Sequence, residues 1–286
     1  MNKLLLILFL ATVSQSATDG VLDVSHRART LQPGEVVLLD VSGDKTLNAV
    51  EVKAFGRRFL LSPTTSSNWQ GLVGIDLDTE PGLYPLQIEA RTANRTLQTE
   101  YVLKITGKEF PTRRLNVDPR FVTPPPEVSE RIARESKRLQ TVLSNVGTAK
   151  LWSGSLARPV PGAASSSFGK RSVFNGKPRS PHTGADFRAE AGTPVAAPAA
   201  GRITLADDLY YAGQSVVIDH GHGLISMLIH MSRIDVEEGV MVERGDQVGL
   251  VGATGRVTGP HLHWAMRLSG ARVDPLSLME LMSAGF

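Results

Sequence analysis

The residues of this chain best suited to chemistry are histidines in distinctive company. His182-Thr183-Gly184-Ala185-Asp186 sets an imidazole and a carboxylate a short step apart. Pro181 before the pair and Gly184 within it argue against helix, and a turn could let both side chains reach one cation. Both groups ligate zinc well, although a surface histidine near an acid has the same spelling. His261-Leu262-His263 runs into Trp264-Ala265-Met266 and reads as strand, where residues i and i+2 face the same side. Two protonated imidazoles so placed repel each other. A shared metal or reaction site and a plain polar strand face are the two readings of that motif. His230 ends the apolar run 224–229 and by itself reads as a structural histidine. The chain contains no cysteine, so any metal must be held by His, Asp or Glu.

The elements around these residues are short and glycine-punctuated. From about residue 151, strands are expected near 201–205, 215–218, 223–230, 247–251 and 261–268, with no long amphipathic helix. That pattern predicts a second all-β domain curved into an open barrel or folded sheet. The run from Gly249 to Pro260 is glycine-rich and leads directly into His261. It permits close backbone approach to a ligand. It is not a phosphate loop, because no Lys-Ser/Thr ends it and no helix follows.

Upstream, residues 18–107 alternate in the manner of a small β-sandwich. Runs at 35–41, 50–61, 71–77, 82–90 and 98–105 are separated by turn residues, and an immunoglobulin-like sandwich is expected. Its lone His26 reads as a surface residue. Residues 108–150 form a linker, stiff at Pro124-Pro125-Pro126. A helix follows over 127–146, with Val128, Ile132, Leu139, Val142 and Leu143 on its apolar side. The fold class is therefore mainly β, two β domains joined by a helical linker.

With 286 residues, two domains are the natural division. Residues 1–17 read as a signal peptide: Lys3, an apolar run at 4–13, then small residues. Export to the periplasm or beyond is expected, with no stable membrane insertion once the signal is removed. The net charge of +3 suits a partner bearing carboxylates or phosphates and is too small to argue for nucleic acid. The sequence does not indicate an oligomeric state.

Several separated stretches together resemble the M23 metallopeptidases of the lysostaphin or LytM type. They are Ser180 to Asp186, Gly192-Thr193-Pro194-Val195, Val217-Ile218-Asp219-His220-Gly221, Leu228-Ile229-His230-Met231-Ser232, Thr254 to Trp264 and Val273-Asp274-Pro275. The resemblance covers roughly residues 155–280, and the peptidase domain is taken as 151–286. It implies an antiparallel β peptidase fold and one zinc ion held by His182, Asp186 and His263. It also implies catalytic roles for His230 and His261. Leu228 stands where the family usually has Tyr, and Met231 where it has Leu.

The resemblance further implies an exported zinc metalloendopeptidase that hydrolyses peptide crosslinks of bacterial peptidoglycan with a zinc-activated water. The stem peptides are the expected partner, cut at D-alanyl–diaminopimelate crosslinks or at glycine-rich bridges. The alternative is a catalytically silent LytM-type activator or a cell-wall-binding protein. Asn175, Arg179 and Arg256 are candidate substrate contacts. His220 and His222 are read as loop residues that could touch substrate.

Overall fold

The computed structural model describes residues 21–116, 124–144, 147–165 and 168–283. The expected signal peptide, residues 1–17, lies outside the described residues. The described chain is mainly β, as the alternation predicts.

The N-terminal part folds into two four-stranded antiparallel sheets. One is built on Leu22–Ala28, Val36–Gly43 and Asn68–Gly74, the other on Ala49–Ala54, Gly82–Arg91 and Thr96–Ile105. Alternation decides which side chains face inward. Leu86, Ile88 and Ala90 are buried from one strand, Leu97, Leu103 and Ile105 from its neighbour. Val36 to Leu39 are all buried because that strand is covered on both faces. The strand Leu22–Ala28 is not among those expected from sequence. Its polar residues Ser25, His26 and Arg27 hide the alternation. His26 is a correction: its ring is half-buried, with Nδ1 2.7 Å from the Tyr101 hydroxyl.

The C-terminal part is one ten-stranded sheet. Its central order runs Gly184–Phe187, Leu262–Leu268, Leu224–Ile234, Gly213–Asp219 and Gly201–Leu209. Trp264, Phe187, Leu228 and Leu262 fill its interior. A nine-residue helix, Pro275–Ser283, closes it. That helix is too short to show a helical period in the sequence.

The linker helix spans Ser129–Ser144. Leu139, Val142 and Leu143 pack on Leu205, Leu209, Ala212 and Ile229 of the sheet. Glu135 accepts a 2.8 Å hydrogen bond from the Tyr210 amide, and Arg131 donates to the Asp208 carbonyl at 2.7 Å. The helix is thus clamped to the far end of the Gly201–Asp219 hairpin.

The two β parts share one apolar core, and polar contacts join them. Glu35, 1% exposed, accepts from Arg29 at 2.8 Å, Lys108 at 3.1 Å and Ser277 at 2.5 Å. Asp76 accepts from the backbone and the side chain of Arg272, at 2.8 and 3.1 Å. Burial opposes a charge on Asp76, but these hydrogen bonds outweigh it and hold the carboxyl down to about 2.

Candidate active site

Strand pairing brings together side chains that are distant in sequence. Gly184–Phe187 lies antiparallel to Leu262–Leu268, with Asp186 directly opposite His263. Opposed residues on one sheet face have side chains within reach of each other. On the other flank, Ile229 is opposite His263, so His230 enters from the next strand. His261 sits one step before its strand and bridges to Gly252. His182 precedes the Gly184–Phe187 strand and is held by two backbone hydrogen bonds, its amide to Lys170 and its carbonyl from Gly169.

The result is one cluster. His182 Nε2 and His263 Nδ1 each lie 2.9 Å from the same oxygen, Asp186 Oδ1. One donor atom from each of the three residues lies within 4.8 Å of the other two. His261 Nε2 is 4.0 Å from Asp186 Oδ1. The rings of His230 and His261 are 5.1 Å apart, and those of His230 and His263 6.1 Å.

Two imidazole nitrogens and one carboxylate oxygen converging on one point fit a divalent zinc. Burial works against ionising Asp186, but hydrogen bonds from His182 and His263 prevail and keep its carboxyl well below the ordinary range. Burial pushes His263 down. His230 is driven down to about 3, by burial first and by His263 and His261 second.

Backbone carbonyls fix two of the rings. His230 Nδ1–H donates to the Thr254 carbonyl at 3.0 Å, and His261 Nδ1–H to the Gly259 carbonyl at 2.8 Å. With that hydrogen engaged, His230 presents an unprotonated Nε2. Thr254 is itself tied down: its hydroxyl donates to the Met231 carbonyl at 2.6 Å and accepts from the Gln214 amide at 2.9 Å. Nothing in the sequence assigns Thr254 a role, although it stands in the glycine-rich run and opens the stretch Thr254 to Trp264.

A cleft of about 900 Å³ opens beside His182, Asp186 and His261. Asn175, Arg179 and Arg256 are not among its lining residues. Asn175 stands at the tip of the hairpin that joins Arg171–Phe174 to Lys177–Pro178, with φ of 49°. Arg179 leans over the Phe174 ring at 5.9 Å, and Arg256 over Tyr211 at 4.6 Å.

His220 lies in the loop after Gly213–Asp219, as expected, but its burial removes it from substrate: Nδ1 is 2.8 Å from the Ala200 carbonyl and Nε2 2.8 Å from Ser226 Oγ. His222 lines a narrow pocket at the junction of the two β parts, with Lys150 and Trp152.

The profile of Peptidase family M23 matches residues 180–275, the stretch that carries His182, Asp186, His230, His261 and His263. A solved M23-type structure from Pseudomonas aeruginosa superposes with a TM-score of 0.69 at 33% identity. The match covers 90% of this chain and 97% of that one. The chain belongs to peptidase family M23. Among curated relatives of this M23 protein, the peptidoglycan DD-endopeptidase ShyA of Vibrio cholerae is 43% identical over 96 residues. The DD-carboxypeptidase/endopeptidase Mpg of Neisseria meningitidis is 43% identical over 97 residues. Each match covers 34% of the M23 chain and only 22% of the relative's length. No helix among the described residues is long and apolar enough to cross a membrane.

Proposed function

We propose that this M23 protein is an exported zinc metalloendopeptidase that cuts the peptide crosslinks of peptidoglycan. The observation that carries the reading is the meeting of His182 Nε2 and His263 Nδ1 at Asp186 Oδ1, with His230 and His261 alongside. Three protein donors is the count used at catalytic rather than structural zinc. When bound, zinc makes water nucleophilic near neutral pH and polarises the scissile carbonyl.

The chain's own residues do the rest. His230, locked by Thr254, keeps Nε2 unprotonated and accepts the proton of the attacking water. His261, held by Gly259, acts in its doubly protonated form: its Nε2–H donates to the carbonyl oxygen as it gains charge, or passes to the leaving amine. The two N-terminal sheets, read as an immunoglobulin-like sandwich over 18–107, and the linker over 108–150 hold the 151–286 domain in place.

The peptidoglycan substrate is supported by the names of the matched relatives, and the D-alanyl–diaminopimelate crosslink is preferred on the same ground. Digestion of defined crosslinked muropeptides, with products identified by mass, tests it. Products split at that amide are expected. Intact dimers after incubation with zinc-loaded protein would refute the reading.

A further inference from the structure

The cleft beside the histidines is lined by basic residues, and one of them comes from outside the peptidase domain. Thr112–Leu115, in the linker, pairs in parallel with Arg171–Phe174, with Arg113 opposite Ser172. Side chains opposed in a sheet share a face, and both residues line the cleft. Lys170, two positions before Ser172, lines it too, and its carbonyl holds the His182 amide at 2.9 Å. Arg188, two residues past Asp186 and just beyond the end of its strand, lines the cleft as well. Three cations therefore face the cleft, while its acidic lining residues are Asp186 and Glu190. Among the described residues, no carboxylate pairs with Arg113, Lys170 or Arg188. Surface cations elsewhere do find partners, such as Arg233 with Asp235 and Arg272 with Asp78.

We propose that Arg113, Lys170 and Arg188 form a carboxylate-reading rim, which selects peptide substrates carrying a free carboxylate close to the scissile bond. The inference rests on the peptidase reading and deepens it. The chemistry is that of two guanidinium forks and an ammonium presented to one cleft, each able to hold a carboxylate. Arg113 makes the linker a contributor to specificity, so the peptidase domain alone presents an incomplete rim.

The test uses the full zinc-loaded chain and measures equilibrium binding, not turnover. The probes are a synthetic stem tetrapeptide with a free side-chain carboxylate and its carboxamide analogue. The wild type should hold the carboxylate form about tenfold more tightly, and the preference should shrink at high ionic strength. The combined variant Arg113→Ala, Lys170→Ala, Arg188→Ala should bind both forms equally while retaining zinc. Arg113→Lys should keep most of the preference. Equal binding by the wild type, no binding of either form, or a preference that survives in the combined variant overturns the proposal. Failure to cleave crosslinked muropeptide dimers while the binding preference holds would overturn the peptidase reading and leave the rim standing.

Discussion

The Nδ1–H of His230 donates to the carbonyl of Thr254 at 3.0 Å, holding a ring that lies 5.1 Å from that of His261 and 6.1 Å from that of His263. Backbone, not a second side chain, therefore sets the tautomer. Replacing His230 with Ala should lower kcat by roughly a hundredfold or more, the usual worth of a positioned base. Bound zinc should be unchanged. Steady-state kinetics with metal analysis checks this, and loss of zinc from the variant would make His230 a ligand instead.

Gly184 lies against the strand that carries His263. A Cβ there would come within 2.3 Å of the Trp264 carbonyl and 2.7 Å of His263 Nε2. The first neighbour is backbone, so the strand Leu262–Leu268 itself would have to shift. Gly184→Ala should cost about 1–3 kcal/mol of stability. Zinc affinity should fall with it, as read by competition against a chromogenic chelator. An alanine variant with wild-type zinc affinity would show the strand to be more yielding than its packing implies.

Ser226 Oγ sits between two buried rings. It receives the Trp264 indole N–H at 3.1 Å and donates to His220 Nε2 at 2.8 Å, while His220 Nδ1–H reaches Ala200. Every polar atom of this relay is satisfied. His220→Ala should lower stability by about 3 kcal/mol through cavity and orphaned hydroxyl together. Burial also pushes His220 from 6.5 down to about 4. Between those values the unfolded chain binds the extra proton and the folded chain does not, so stability should fall as pH drops through that window. Denaturation of the His220→Ala variant should show a shallower slope there. An unchanged slope would assign the dependence to other groups.

Asp76 ties the N-terminal sheets to the strand Ala271–Val273 through Arg272. Its folded carboxyl titrates near 2 against an ordinary 3.8. The unfolded state binds protons first, so the contribution is present above pH 3.8 and is lost as pH falls toward 2. Asp76→Asn should remove about 2 kcal/mol at neutral pH and flatten that acid limb. Urea midpoints measured at neutral and acidic pH test it. Equal losses for wild type and variant across the window would exclude Asp76 as the source.

The sequence carried the site further than the assembly around it. His182 and Asp186 are near neighbours in a turn, and His261 and His263 share a face by strand period alone, so local rules suffice to group each pair. Joining the pairs needs the Asp186–His263 pairing, which no local pattern specifies. His230 was harder. It has φ of 67°, and the strand pairing slips just after it between Met231 and Arg233, so simple alternation does not define where its ring points.

The buried acids at the junction were not legible at all. Glu35 reads as an ordinary exposed residue until Arg29, Lys108 and Ser277 surround it. The basic residues Arg179 and Arg256 were legible as charges but not as neighbours of Phe174 and Tyr211, because contacts to aromatic faces leave no sequence period.

Zinc stoichiometry across a small set of variants tests the central claim most directly. Protein stripped with chelator and reloaded should hold about one zinc per chain as wild type and as His230→Ala. Under the same conditions His182→Ala, Asp186→Ala and His263→Ala should each hold far less while remaining folded by circular dichroism. Full zinc occupancy in those three folded variants, or none in the wild type, would contradict the account.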